Sequence, residues 1–195
     1  MTYLRSFTVP SWKWLVAALG LAALFPCAGR AEAESDGPWE YQNLNDNDAV
    51  ITKYNGGGGH VEIPATIGDG LNVVKIGEEA FTNNETITSV KIPYGVTGIG
   101  DGAFSKAINL ESVDIPATVT RIGKEAFLDC RLTSLVIPES VTEIGPSAFQ
   151  GNGMLASLEF HMKPLVEIPD SAFRGNASLQ SVVIPEGVTR IGENA

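Results

Sequence analysis

Five serines recur along the chain at nearly one spacing: Ser89, Ser112, Ser134, Ser157 and Ser181. A serine beside a histidine is the raw material of nucleophilic catalysis, because the imidazole takes the hydroxyl proton as the oxygen attacks. A catalytic pair here calls for a serine off that spacing, next to one of the two histidines. Those histidines, His60 and His161, fall far apart, and the conspicuous serines are the regular five. A reactive nucleophile has no reason to recur five times. A ladder of small hydroxyls on stacked strands does, since such groups can hydrogen-bond along the stack. The expectation is structural serines and no catalytic residue.

Other chemistry-bearing stretches read the same way. GGGG (residues 56–59) and GVTGIGDGAF (residues 95–104) lack the Lys-Ser/Thr of a phosphate loop, and the second is out of register with the dinucleotide fingerprint. The carboxylates Glu78-Glu79 and Asp46/Asp48 are followed by no EF-hand register, so they read as solvated loop charge. Of two cysteines, Cys27 and Cys130, the first lies in the leader described below, and the remaining thiol has no partner for a disulfide or a metal site. No metal and no cofactor are expected. Asn84-Glu85-Thr86 and Asn176-Ala177-Ser178 match the glycosylation sequon, whose use depends on a source that the residues do not name.

The elements behind the serines form a repeat. Phe81, Phe104, Phe127, Phe149 and Phe173 follow at intervals of 23, 23, 22 and 24 residues, each preceded by alanine. Ile-Gly pairs stand four and five places before the first four of them, and Ile168-Pro169 replaces the fifth. Blocks such as LESVDIP (residues 110–116), LTSLVIP (132–138) and LQSVVIP (179–185) come between, with ITSVKIP (87–93) and the degenerate LASLEFH (155–161). Apolar residues at the fourth and sixth places, Val113 and Ile115 for example, share one face of a short strand that proline then closes. A second apolar pair follows, Val119 and Ile122, then a glycine suited to a tight turn. KEAF and its equivalents are expected to form a single helical turn that drops Ala and Phe inward. One such unit cannot fold alone: about seven inward side chains at roughly 1.5–3 kcal/mol each are offset by roughly 1–2 kcal/mol for every backbone residue ordered. Stacked units bury both sides of each core, which makes the chain a solenoid.

The phrases L-x-S-V-x-I-P and V-T-x-I-G-x-x-A-F resemble the BspA-like leucine-rich repeat, a bacterial variety with a period near 23 residues, over residues 61–195. Cys130, three places after its Phe, fits that family as well. The resemblance implies an α/β leucine-rich-repeat solenoid of short stacked parallel strands with single helical or 3-10 turns. It also implies a surface or secreted protein concerned with attachment and host-protein binding. Residues 61–195 then hold about five repeats and a truncated sixth, and the first step is longer, 29 residues from Pro64 to Pro93. Residues 34–60 read as a cap: strand-like runs flank NDND (residues 45–48), giving a small N-terminal β-hairpin with Trp39 or Tyr41 as a lid.

The first 33 residues have the layout of a secretory signal peptide: Arg5 and Lys13, then the apolar run WLVAALGLAALF (residues 14–25), then AEA (residues 31–33) as a cleavage site. The run is shorter than the ~20 residues a membrane-spanning helix needs, so no stable span is expected after cleavage. Export to the cell envelope or medium follows. The full chain carries a net charge of −10, and removal of residues 1–33 takes three basic residues and one acidic one, leaving −12. Such a surface repels phosphate backbones and excludes nucleic acid as the expected partner.

What remains is a surface. Two columns of the leading strands vary in size and charge: Lys91, Asp114, Val136, Glu159 and Val183 at the fifth place, and Thr88, Glu111, Thr133, Ala156 and Gln180 at the second. A regular scaffold with variable outward columns is how solenoids bind proteins. The expectation is a non-enzymatic binding or adhesion module for a protein or glycan ligand at the cell surface. The rival is a structural spacer, or the leading part of a larger surface protein. IPEGVTRIGENA (residues 184–195) stops at the alanine of its Ala–Phe pair. It carries the expectation of a fragment or interrupted array, with Ile184, Val188 and Ile191 covered on one side only.

Overall fold

The structure, a computed structural model, describes residues 33–161 and 167–195. The signal peptide expected over residues 1–33 lies outside the described residues except for Ala33. Two alternations of polar and apolar residues per repeat give each coil two walls. The strands, in chain order, are β1 (Glu34–Asp36), β2 (Trp39–Asn43), β3 (Asp48–Tyr54), β4 (Gly59–Glu62), β5 (Thr66–Ile67), β6 (Leu71–Ile76), β7 (Ile87–Lys91) and β8 (Gly98–Ile99). They continue as β9 (Ser112–Asp114), β10 (Arg121–Ile122), β11 (Ser134–Ile137), β12 (Glu143–Ile144), β13 (Ser157–Phe160), β14 (Glu167–Ile168) and β15 (Arg190–Ile191). On the first wall β4, β7 and β9 pair in parallel, and β11 pairs with β13. On the second wall β6, β8, β10 and β12 pair in parallel, and β14 pairs with β15. The N-terminal segment joins this second wall: β1, β2 and β3 form an antiparallel ribbon whose last strand runs parallel to β6.

Each coil turns from the second wall through its Ala–Phe segment, and here the expected helical turn does not form. Among the described residues there is no α-helical or 3-10 segment. Residues two places before and two places after the Phe are left-handed instead: Glu125 has φ 55° and Asp129 has φ 52° around Phe127. These reversals split the backbone donors into two sets. Ala126 N and Leu128 N close four-residue turns onto Gly123 O and Glu125 O (3.4 and 3.1 Å). Glu125 N, Phe127 N and Asp129 N turn outward to Pro146 O, Ala148 O and Gln150 O of the next coil (3.0, 2.7 and 2.8 Å). A helical turn would spend its donors within its own coil and leave the next one unjoined. Satisfying buried N–H groups across coils outweighs the local helix preference of Lys, Glu and Ala.

The other wall returns the favour. Gly100 N, Gly123 N and Gly145 N donate to Ile76 O, Ile99 O and Ile122 O of the preceding coil, at 2.8–2.9 Å. The approach is so close that a Cβ on Gly100 would stand 2.6 Å from the carbonyl carbon of Gly77. Glycine is required there by space rather than by φ.

Between the walls lies the core. Phe81, Phe104, Phe127, Phe149 and Phe173 stack with ring centroids 4.7–5.4 Å apart. Trp39 and Tyr54 close the start of this stack: Tyr54 lies 5.2 Å from Phe81 and Trp39 lies 4.5 Å from Tyr54. Tyr54 N also donates to Ala80 O at 2.9 Å, the bond that a preceding coil would make. Tyr41 is buried in the core and hydrogen-bonded to Glu34 Oε2 at 2.9 Å, so Trp39 is the lid over the rings and Tyr41 sits beneath the ribbon. In the last coil Ile184 and Ile191 are 40% and 60% exposed.

Candidate binding surface

The alternation that buries the fourth and sixth places of each leading strand turns the third and fifth outward. Parallel register then lines these positions up across the wall. His60 stands beside Ser89, and Ser89 beside Ser112; Glu62 stands beside Lys91, and Lys91 beside Asp114. On the neighbouring pair of strands Ser134 faces Ser157, and Val136 faces Glu159. A groove of about 550 Å³ runs over the wall, with His60, Ser89, Ser112 and Ser134 along one side and Lys91, Asp114 and Val136 along the other.

All ten residues expected to form the ligand surface are exposed. The structure divides them. Lys91, Asp114 and Val136 line the groove, and Glu159 extends their column on β13. Thr88, Glu111, Thr133 and Ala156 stand at the entry to the strands, where the backbone passes Glu111 N to Thr88 O, Thr133 N to Glu111 O and Ala156 N to Thr133 O. They form a rim and do not enter the groove. Gln180 and Val183 lie in the last coil, whose residues 180–184 carry no strand.

The serine column behaves differently from its expected ladder. Among the described residues the hydroxyls of Ser112, Ser134 and Ser157 make no hydrogen bond along the stack, and Ser89 bonds to His60. Their side chains stand off the sheet, whereas the carbonyls that they would need lie in its plane and are taken by the ladder. The hydroxyl ladder belongs to the threonines of V-T-x-I-G on the other wall. Thr97, Thr120 and Thr142 donate their Oγ1 protons to Val74 O, Thr97 O and Thr120 O at 3.1–3.2 Å. Among the described residues, the groove hydroxyls of Ser112 and Ser134 are therefore left without a hydrogen bond, while that of Ser89 is held by His60.

Charge on the wall is paired locally. Lys91 Nζ lies 3.3 Å from Glu62 Oε1, and the hydrogen bond and charge of Lys91, with a smaller contribution from His60, hold the Glu62 carboxyl below its ordinary value. His161 Nε2 lies 3.5 Å from Glu159 Oε2, and Arg131 Nη1 lies 3.7 Å from Glu111 Oε1. Exposed pairs like these hold little energy and give way readily to a charged partner. Asp114 has no ion-pair partner among the described residues. No group of three or more metal-ligating side chains occurs among them, and no helix among them is long and apolar enough to cross a membrane.

His60 and Glu62 were not among the expected surface residues. HVEIP (residues 60–64) has the frame of a leading strand, with Val61 and Ile63 buried like Val90 and Ile92. The proline at position 64 was the available signal, masked by the longer first step to Pro93.

Comparison with known proteins places these features in a family. The chain is similar to the leucine rich repeat protein TpLRR of T. pallidum, at 27% identity over 83% of this chain and 86% of that one, with a TM-score of 0.63. It is also similar to a leucine-rich repeat protein from Bacteroides ovatus, at 26% identity and a TM-score of 0.58, over 79% of this chain and 48% of that one. The pneumococcal vaccine antigen PcpA shares the fold, with a TM-score of 0.70 at 22% identity, over 83% of this chain and 46% of that one. The chain thus spans less than half the length of these last two proteins. No curated protein matches it. The family model for the BspA type leucine rich repeat region matches residues 74–195 in six copies, which is most of the chain. With stacked coils, five successive Ala–Phe turns and this match, the chain belongs to the BspA-type leucine-rich repeat family.

Proposed function

We propose that this protein is an exported binding module that holds a protein or glycan ligand at the cell surface through the groove on its first wall. The observation that carries this reading is the contrast between a fixed lattice and a variable face. Buried Val, Ile, Ala and Phe recur in every column, while the outward column changes from Glu62 to Lys91, Asp114, Val136 and Glu159 over a groove of about 550 Å³. Backbone ladders hold that face rigid, so a ligand pays little to order it. The net charge, −10 for the full chain and −12 without residues 1–33, favours partners with basic or neutral surfaces over nucleic acid. Export rests on the leader layout of residues 1–33, and the surface setting on the family.

The test is equilibrium binding of the full chain to immobilised matrix proteins and glycans, beside the variants Asp114→Lys and Val136→Asp. Saturable binding that both groove variants weaken by about ten-fold or more, with unchanged thermal unfolding, supports the proposal. No saturable binding to any member of the panel, or binding that neither variant alters, would overturn it.

A further inference from the structure

One hydroxyl in the groove has a base beside it. The Oγ of Ser89 lies 2.7 Å from Nδ1 of His60, which occupies the serine column on β4. Ser112 and Ser134 share the column and the groove and have no such neighbour among the described residues. On the other side of the imidazole, Nε2 lies 3.6 Å from Glu62 Oε1, and Lys91 holds that carboxylate at 3.3 Å. Strand geometry fixes the set: residues two apart share a face, and the register places His60 against Ser89 and Glu62 against Lys91. A hydroxyl, a base and a group that orients the base are the three roles of an activated nucleophile.

The geometry points to Ser89 as a nucleophile toward small activated acyl esters, with His60 as its general base and Glu62 as a positioning residue. This goes beyond ligand binding and does not depend on it. In the step, Ser89 Oγ bonds to the acyl carbon while its proton passes to His60 Nδ1. The ester C–O bond breaks, and the leaving oxygen keeps the electron pair and takes the proton back from the imidazole. Water then attacks the acyl-serine with the same base, releasing the acid and restoring the Ser89 hydroxyl. Strand β7 is paired on both sides, so its N–H groups are committed to the ladder and do not form an oxyanion hole. The gain is that of a base alone, at or below the lower end of the roughly 10²–10⁴-fold that a positioned base supplies.

Treating the full chain with p-nitrophenyl acetate tests this, with the acetylated serines mapped by mass spectrometry and nitrophenolate release followed in parallel. Ser112 and Ser134 are internal controls. The expected result is acylation of Ser89 about ten-fold or more faster than of either control. It falls to their level in His60→Gln, and nitrophenolate release drops in Ser89→Ala. Acylation of Ser89 at the same rate as its column mates, or release indifferent to both His60→Gln and Ser89→Ala, would overturn the assignment. Thermal unfolding of each variant, expected to be unchanged because His60 is exposed and Ser89 stands half-buried on the outer face of the wall, separates chemistry from folding.

Discussion

Asn152 is fully buried, and its amide repairs a gap in the lattice. In other coils the residue that opens the leading strand closes a turn: Leu110 N donates to Ala107 O and Leu155 N to Asn152 O, both at 2.9 Å. Leu132 lies within the one phenylalanine interval that is shortened to 22 residues, and its N–H instead reaches Asn152 Oδ1 of the next coil at 3.2 Å. Asn152 Nδ2 donates to Phe127 O and Phe149 O at 2.9 and 3.0 Å. Replacing it with leucine leaves one buried donor and two carbonyls short of a partner. The expected loss is about 1–3 kcal/mol for a buried group left unsatisfied, read as a lower midpoint in chemical denaturation. The short interval was legible in the sequence; its repair was not, because the partner belongs to a different coil. Cys130 sits nearby, its Sγ–H donating to Phe104 O at 3.1 Å, and burial pushes the thiol up to about 12. Below pH 9 the thiol is protonated in both folded and unfolded chains. Above it the unfolded thiol ionises while the folded one does not, so this group's contribution to stability is lost as pH rises from about 9 toward 12, at roughly 1.4 kcal/mol per pH unit. Denaturation at pH 8 and pH 10.5 should therefore show the parent chain losing more stability than Cys130→Ala.

At the scale of the element, the leading strands were legible because their alternation of apolar and outward residues is the strand period itself. The Ala–Phe segment was not. KEAF carries residues that accept helix, and only stacking reveals that its N–H groups must reach the next coil. The cost is visible in the column two places before each Phe. Glu79, Glu125, Ser147 and Ser171 hold φ of 55–57°, where side chains are strained, and Gly102 holds φ 61° without strain. Opposite substitutions in this column should therefore have opposite signs. Gly102→Ala is expected to cost about 1 kcal/mol or more, and Ser147→Gly to gain up to about 1 kcal/mol, measured as shifts in the thermal midpoint. A helical segment at this place would reverse both signs, since glycine weakens helix and alanine strengthens it.

At the scale of the molecule, each coil meets only its neighbours, and stability is passed along the array rather than gathered into one centre. The phenylalanine stack and the buried columns were written in the period. The partition of the surface was not, since spacing assigned Thr88 and Lys91 to one ligand face and the bend at the strand entry separates them into rim and groove. His60 was likewise hidden, because its coil differs in length from the rest. The central claim is that every Ala–Phe turn is held by the coil that follows it. Site-resolved hydrogen exchange on the parent chain and on Phe149→Ala tests this most directly. The Phe127 amide, bonded to Ala148 O, should lose most of its protection in the variant, with Phe104 affected less and Phe81 least. Retention of full protection at Phe127 in a folded variant, or an equal loss at all three amides, would contradict it.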